Sequence, residues 1–166
     1  TGADPETGDG AGLLIQIPHN FLEKEFAKQG IMIPEEGNYG LGMLFLPTDP
    51  NQRRICEQII ENIVKQEGHT VTGWRDVPVF PDSIGTLSKR VMPIIRQFIV
   101  TNSQPANDQF KFEQKLFVIR KQIEQTVESS NITQKDDFYI CSLSSTKLVY
   151  KGLIMADQLE HFYPDL

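Results

Sequence analysis

An α+β protein built in layers is what this sequence predicts, and three observations carry the prediction. Two long segments repeat apolar residues at helical spacing. Several strand-length segments alternate or run apolar throughout, and some of them follow one another directly, as hairpins do, instead of alternating strictly with helices. The third observation argues against a regular βαβ array, and no internal repeat or low-complexity tract is visible. Composition supports a folded chain: of 166 residues, 39% are hydrophobic and 23% charged, an ordinary globular balance. That length suits one domain with a real core and is small for two.

Residues 1–12 form a turn-rich approach, with Asp4-Pro5, Thr7-Gly8 and Asp9-Gly10 before Gly12. Leu13 to Ile17 is a near-continuous apolar run stopped by Pro18, which predicts a strand covered on both faces. Asn20 is placed to cap a short helix over Phe21 to Gln29, with Gly30 after its end. Tyr39 to Leu46 reads as a second strand, dotted by Gly40 and Gly42 and closed by Pro47. Asp49 and Pro50 open the clearest helix, where Ile55, Ile59, Ile60, Ile63 and Val64 make an apolar stripe before Gly68.

His69 to Val77 predicts a strand with Val71, Gly73 and Arg75 on one face and Thr70, Thr72, Trp74 and Asp76 on the other. Pro78 to Gly85 reads as a turn and Leu87 to Pro93 as a short helical piece. Ile94 to Thr101 alternates as a strand, and Asn102 to Asp108 is a polar loop. Phe110 to Glu128 is helical by pattern, with Phe112, Leu116, Ile119, Ile123 and Val127 on one side. Phe138 to Leu143 and Leu148 to Lys151, joined by a Ser-Ser-Thr turn, predict a β-hairpin, and Ala156 to Phe162 a closing helix.

Charge and motif spacing exclude several functions. The net charge is -6, and the longest Lys/Arg blocks are the pairs Arg53-Arg54 and Lys89-Arg90, so no basic stripe is available for a nucleic-acid partner. No apolar run approaches the roughly 18–20 residues that span a bilayer, so no membrane partner is expected. The acidic, Gly-rich first ten residues are not those of a signal peptide. Cys56 and Cys141 lie far apart in apolar segments, which predicts buried free thiols and a cytosolic or similarly reducing compartment.

His19, His69 and His161 are isolated from each other and from both cysteines, so no metal site is expected. His19 is expected at the surface. Ser142, Ser144 and Ser145 lack a nucleophile-elbow context, and their hydroxyls are expected to bond backbone groups in the turn. The Gly8-Asp9-Gly10-Ala11-Gly12 run precedes a strand, not a helix, and lacks the Lys-Ser/Thr of a phosphate loop. Its three glycines permit close backbone approach, which serves either a pocket or the packing of sheet layers. The start at Thr1 without Met and the end at Leu166 without a charged tail read as cuts inside a longer protein.

Several blocks together resemble one family. Thr1 to His19, with Thr7-Gly8-Asp9-Gly10-Ala11-Gly12 at its centre, is similar to the early segment of the glutaminase domain of glutamate synthase large subunits. Gly73-Trp74-Arg75-Asp76-Val77-Pro78, Met92-Pro93-Ile94-Ile95-Arg96-Gln97 and Phe112 to Lys121 resemble later blocks in the same order. So do Phe138 to Ser145, Val149-Tyr150-Lys151-Gly152 and Phe162-Tyr163-Pro164-Asp165-Leu166. One departure is Thr146-Lys147, where the family usually has a basic residue directly after the Ser-Ser pair.

The resemblance implies a class II glutamine amidotransferase, with the four-layer αββα sandwich of N-terminal nucleophile hydrolases. Residues 1–166 would be a single partial domain. The family's mature N-terminal Cys, with its own α-amino group as base, would precede Thr1, and its substrate-clamping and oxyanion segments would follow Leu166. No catalytic residue is therefore expected in this chain, and the chain alone is expected to be inactive. Asp9, Gly10 and Gly12 are the candidate pocket-wall turn. The resemblance implies glutamine as substrate and the remaining domains of the same polypeptide as partners. It implies FMN and an iron–sulfur cluster in the full-length enzyme and no cofactor in this stretch, with a cytoplasmic or plastid-stromal location. A non-catalytic binding or regulatory module that keeps the sandwich is the alternative.

Overall fold

The computed structural model describes residues 11–80, 92–104, 108–152 and 159–166. Its elements are β1 (Ala11–Gln16), α1 (His19–Ala27), β2 (Tyr39–Leu46), α2 (Pro50–Gln66), β3 (Thr70–Asp76) and β4 (Ile94–Thr101). They continue with α3 (Gln109–Glu128), a 3-10 turn (Lys135–Asp137), β5 (Tyr139–Ser144), β6 (Lys147–Gly152) and α4 (Leu159–Phe162). The expected helix over Leu87 to Pro93 falls almost wholly outside the described residues, as do residues 81–85 of the expected turn and 156–158 of the closing helix.

Four strands form an antiparallel sheet in the order β3-β4-β2-β5, and β1 pairs antiparallel with β6 in a separate two-stranded sheet. β2 sits inside the larger sheet and is buried along nearly its whole length. Its alternate residues serve two cores. Leu44 and Leu46 join Phe98 and Val100 of β4 against Cys56, Ile60, Ile63 and Val64 of α2 and the predicted stripe of α3. Leu41 and Met43, with Ile95 and Ile99, face the other core, which α1 supplies with Leu22 and Phe26 and β6 with Leu148 and Tyr150. Leu159, Phe162 and Tyr163 close that second core. The described layers thus run helices, larger sheet, smaller sheet. Each fully buried large side chain contributes roughly 1.5–3 kcal/mol to that arrangement.

Local chemistry sets the element ends. The Asp49 carboxylate accepts from the Gln52 N–H at 3.0 Å with Pro50 in the first turn, and Asp108 caps α3 by accepting from the Lys111 N–H at 2.8 Å. Gly30 and Gly68 follow α1 and α2 at φ of 73° and 87°, the left-handed region that glycine enters without a Cβ clash. Gly42 matters through space. A Cβ there would lie 2.1 Å from the ring of its cross-strand partner Phe98.

Five expectations are corrected. Asn20 does not cap α1: the helix begins at His19 after Pro18, without a side-chain cap. His19 is only part-exposed at the strand-to-helix turn, because its Nδ1 shares a 2.9 Å hydrogen bond with the Tyr39 hydroxyl and its side chain is 16% exposed. The β1 run is covered on one face only. Ile17 is buried while Leu14 is 63% exposed, since no described layer packs on the outer face of the β1–β6 sheet. Val71 does not share a face with Gly73 and Arg75. A register shift between Val71 and Gly73 sends Val71 to the helix side with Trp74, as one extra residue in a ladder must.

The largest correction concerns β5 and β6. They are adjacent in sequence but do not form a hairpin, because β5 pairs with β2 in one sheet and β6 with β1 in the other. The turn between them is held by side chains. The Ser144 hydroxyl donates to Glu113 at 2.6 Å and accepts from the Thr146 and Lys147 N–H groups at 3.0 and 3.1 Å. The Ser145 N–H and hydroxyl both donate to the same Glu113 carboxylate, at 2.7 and 3.0 Å. With its polar groups satisfied by α3 and by a serine, the chain crosses from one sheet to the next without a backbone ladder.

Candidate functional site

Of the three residues predicted to form a pocket wall, Gly12 lies in β1, and Asp9 and Gly10 lie outside the described residues. Gly12 pairs with Lys151 of β6, and a Cβ at residue 12 would sit 3.5 Å from Lys151 Cγ, an ordinary contact. Lys151 is itself anchored. Its Nζ donates to the Tyr139 hydroxyl at 2.8 Å and lies 5.0 Å from that ring's centroid, and its carbonyl accepts from the Tyr163 hydroxyl at 2.5 Å.

Behind this strand pair the two sheets enclose a buried polar node that the sequence reading did not single out. Arg75 of β3 is 4% exposed and donates to both Asp165 oxygens, at 3.0 Å from Nη1 and 2.8 Å from Nη2. Its Nη1 also reaches Gln97 Oε1 at 2.8 Å, and its Nη2 reaches Glu25 at 3.4 Å. The Tyr150 hydroxyl donates to Asp165 at 2.9 Å, and Gln97, fully buried, donates from Nε2 to the Met43 sulfur at 3.6 Å. Burial opposes the Arg75 charge, but the Asp165 carboxylate outweighs it and the pKa moves up. Burial, reinforced by the Asp165 charge, raises the Tyr150 pKa and keeps the phenol protonated as a donor. One signal could have revealed the node: Arg75 alternates with Trp74, whose face meets a helix, so Arg75 had to point between the sheets.

The other polar side chains are held structurally. Burial pushes the Cys141 thiol up to about 12 and the Cys56 thiol up to about 11, far from a reactive thiolate at neutral pH. The two sulfurs sit in different cores on opposite faces of the larger sheet, and both are free. Ser142 accepts from the Val149 N–H at 3.1 Å, so all three serines bond backbone groups or Glu113. His69 is buried, with its ring edge on Phe112 at 5.2 Å and its Nδ1 accepting from the Ser103 N–H at 3.1 Å. Desolvation lowers its pKa and keeps it neutral. A cleft of about 620 Å³ opens beside the β5–β6 crossing, lined by Gln16, Glu36, Gln109, Ser145 and Lys147. Among the described residues no group of three or more His, Cys, Asp or Glu side chains could hold a metal ion. No described helix is long and apolar enough to cross a membrane.

Compared with known proteins, the chain matches the class-II glutamine amidotransferases over residues 1–166. It belongs to that family. Among curated relatives, this amidotransferase chain is 45% identical to the glutamate synthase [NADPH] large chain of Bacillus subtilis (strain 168), over 99% of its length and 10% of that protein. The corresponding chain of Azospirillum brasilense is 38% identical over 99% of this chain and 11% of its own. The chloroplastic ferredoxin-dependent glutamate synthase of Oryza sativa subsp. japonica is 37% identical over 99% and 10%. The chain therefore spans about a tenth of the length of these relatives. In the amidotransferase fold, four of the blocks that carried the resemblance converge on the buried node: Arg75, Gln97, Tyr150 and Asp165 come from four separate ones.

Proposed function

We propose that this chain is part of the glutaminase domain of a glutamate synthase. That domain hydrolyses glutamine to glutamate and ammonia, and the ammonia is then passed on for reductive transfer to 2-oxoglutarate. The observation that carries the reading is the match to class-II amidotransferases along all 166 residues, with glutamate synthases as the relatives. The helix, sheet, sheet order supports three layers of a four-layer sandwich, and a second helical layer would cover the exposed Leu14 face.

In this reading the thiol of an N-terminal cysteine outside this chain adds to the side-chain carbonyl of glutamine, and its proton passes to the cysteine's own α-amino group. The C–N bond breaks, ammonia leaves with that proton, and water hydrolyses the thioester to glutamate. What these 166 residues contribute is the rigid sheet pair and the strand that enters at Gly12. Gly12 has ordinary contact room beside Lys151 and shares the outer face of β1 with Leu14, and in this reading it stands on the pocket wall. Neither cysteine fits the nucleophile role, since both thiols are buried and held protonated.

The iron–sulfur cluster that the family implies does not fit the described residues, because the two cysteines face different cores and no other group of ligands gathers. In this reading FMN and the cluster are held by other domains of the polypeptide, which are its partners. The location would be the cytoplasm, or the plastid stroma in a photosynthetic eukaryote.

Ammonia release from glutamine tests the proposal. Given glutamine without 2-oxoglutarate, the full-length protein should produce it stoichiometrically with glutamate, and purified residues 1–166 should stay at buffer background. Release by residues 1–166 that Cys141→Ala abolishes would overturn the assignment of the nucleophile. A full-length protein that binds glutamine without hydrolysing it would leave a binding or regulatory module in place of an enzyme.

A further inference from the structure

Arg75, Asp165, Tyr150 and Gln97 form a buried ionic node between the two sheets, and stability alone is a poor reason for it. Removing a guanidinium and a carboxylate from water carries a desolvation cost that their attraction only roughly repays, so apolar replacements of similar volume are often neutral or stabilising. What a bidentate fork does supply is direction. The two Arg75 nitrogens meet the two Asp165 oxygens at 3.0 and 2.8 Å, which fixes the carboxylate plane, and that plane presents an oxygen to Tyr150 at 2.9 Å.

Tyr150 is the link to the candidate site. It lies in β6 directly opposite Leu13 of β1, one position from the Lys151–Gly12 pair. A one-residue slip or a tilt of β6 would carry β1 with it, because β1 pairs with β6 alone among the described strands. The neighbouring Tyr163, edge-on to Tyr150 with centroids 4.8 Å apart, holds the Lys151 carbonyl from the same side. Arg75 is in turn fixed by Gln97 of β4 in the larger sheet. The chain of contacts therefore runs from the larger sheet through Arg75, Asp165 and Tyr150 to β6, then across the ladder to Gly12.

We infer that this node is a positioning device: it sets where β6, and through it the Gly12 end of β1, stands relative to the larger sheet. Arg75, Asp165 and Tyr150 are positioning residues for glutamine binding. That role rests on the proposed glutaminase function, with Gly12 on the pocket wall.

Two variants of the full-length protein test it. Tyr150→Phe removes one oxygen and keeps the ring. The quadruple variant Arg75→Met, Asp165→Leu, Tyr150→Phe, Gln97→Met replaces the whole node with apolar groups, so that no buried Gln97 amide is left without its Arg75 donor. The expected result for both is a cooperative melt close to that of the wild type, with KM for glutamine raised roughly 10-fold and kcat changed by less than about 2-fold, because misplaced contacts weaken binding. Hydrogen exchange of the peptide covering residues 11–17 should speed up in both, and peptides from α2 should not change. If both variants keep the wild-type KM and the wild-type exchange of residues 11–17, the node is structural only and the inference falls. If a variant melts early, its exchange pattern still decides: protection lost evenly across the protein overturns positioning, and loss concentrated in β1 and β6 supports it. A wild-type protein without glutamine hydrolysis would refute the functional proposal, while the exchange experiment would still judge the mechanical link.

Discussion

Substituting Gly42 by alanine isolates one contact between the central strand and the helix-side core. The added Cβ would lie 2.1 Å from Phe98 Cε1, 2.4 Å from Cζ and 2.6 Å from Cδ1. Reaching an ordinary contact of 3.4 Å requires the ring to retreat by about 1.3 Å. Phe98 has little freedom to do so. It is fully buried in the helix-side core, and its cross-strand partner on the other side is Trp74, with ring centroids 5.1 Å apart. Overpacking of this kind costs about 1–3 kcal/mol, and removing a glycine from a strand returns roughly 0.5–1 kcal/mol. With the ring pinned and the approach this close, the overpacking cost lies in the upper half of its range, so the net is a loss of about 1–2.5 kcal/mol, or a urea midpoint lower by about 0.5–1.2 M for an m-value near 2 kcal/mol/M. Trp74, the single tryptophan of these 166 residues, touches Phe98 and so reports the unfolding by fluorescence, with far-UV circular dichroism as the second probe. Shrinking the ring should relieve the clash, so Phe98→Leu combined with Gly42→Ala should show a favourable coupling of about 1 kcal/mol in a double-mutant cycle. A Gly42→Ala chain that melts at or above the wild-type midpoint, or a cycle without coupling, refutes the packing argument.

Two further outcomes follow from the polar contacts. Glu113→Ala removes the acceptor of the Ser144 and Ser145 hydroxyls and of the Ser145 N–H, so it should cost about 1–3 kcal/mol in thermal or urea melts, with Glu113→Gln recovering part of this; an unchanged melt would mean the crossing is held elsewhere. His69 has its pKa depressed by desolvation in the fold. Its contribution to stability is thus complete above the ordinary imidazole value near 6.5 and is lost as pH falls below it toward the folded value. An imidazole NMR titration should place its midpoint below that of a free histidine, and a midpoint at or above 6.5 would contradict the burial argument.

Periodicity was enough to find the elements that bury one continuous face. The stripe of α3 and the bounds of β2 were legible because helix and strand periods are local properties of spacing. Asp49 with Pro50 was legible for the same reason, since a cap acts within its own first turn. The family was legible too, from ordered blocks along the whole chain, and the match over residues 1–166 agrees. Other features depended on groups far apart in sequence. An apolar run such as Leu13 to Ile17 says that a strand is apolar, but a second layer decides whether Leu14 is covered. Two strands joined by a short turn look like a hairpin until Glu113, some thirty residues earlier, takes the turn's donors and sends β5 and β6 into different sheets. Arg75 and Asp165 are ninety positions apart and lie in segments with no common pattern, so no spacing rule connects them. The sequence by itself therefore determined the class, the main elements and the kinship of this protein. Only the tertiary structure decided which face of β1 is bare, where the chain changes sheets and which charges meet between them, because burial and pairing are properties of what packs across the core, and local periodicity does not contain them.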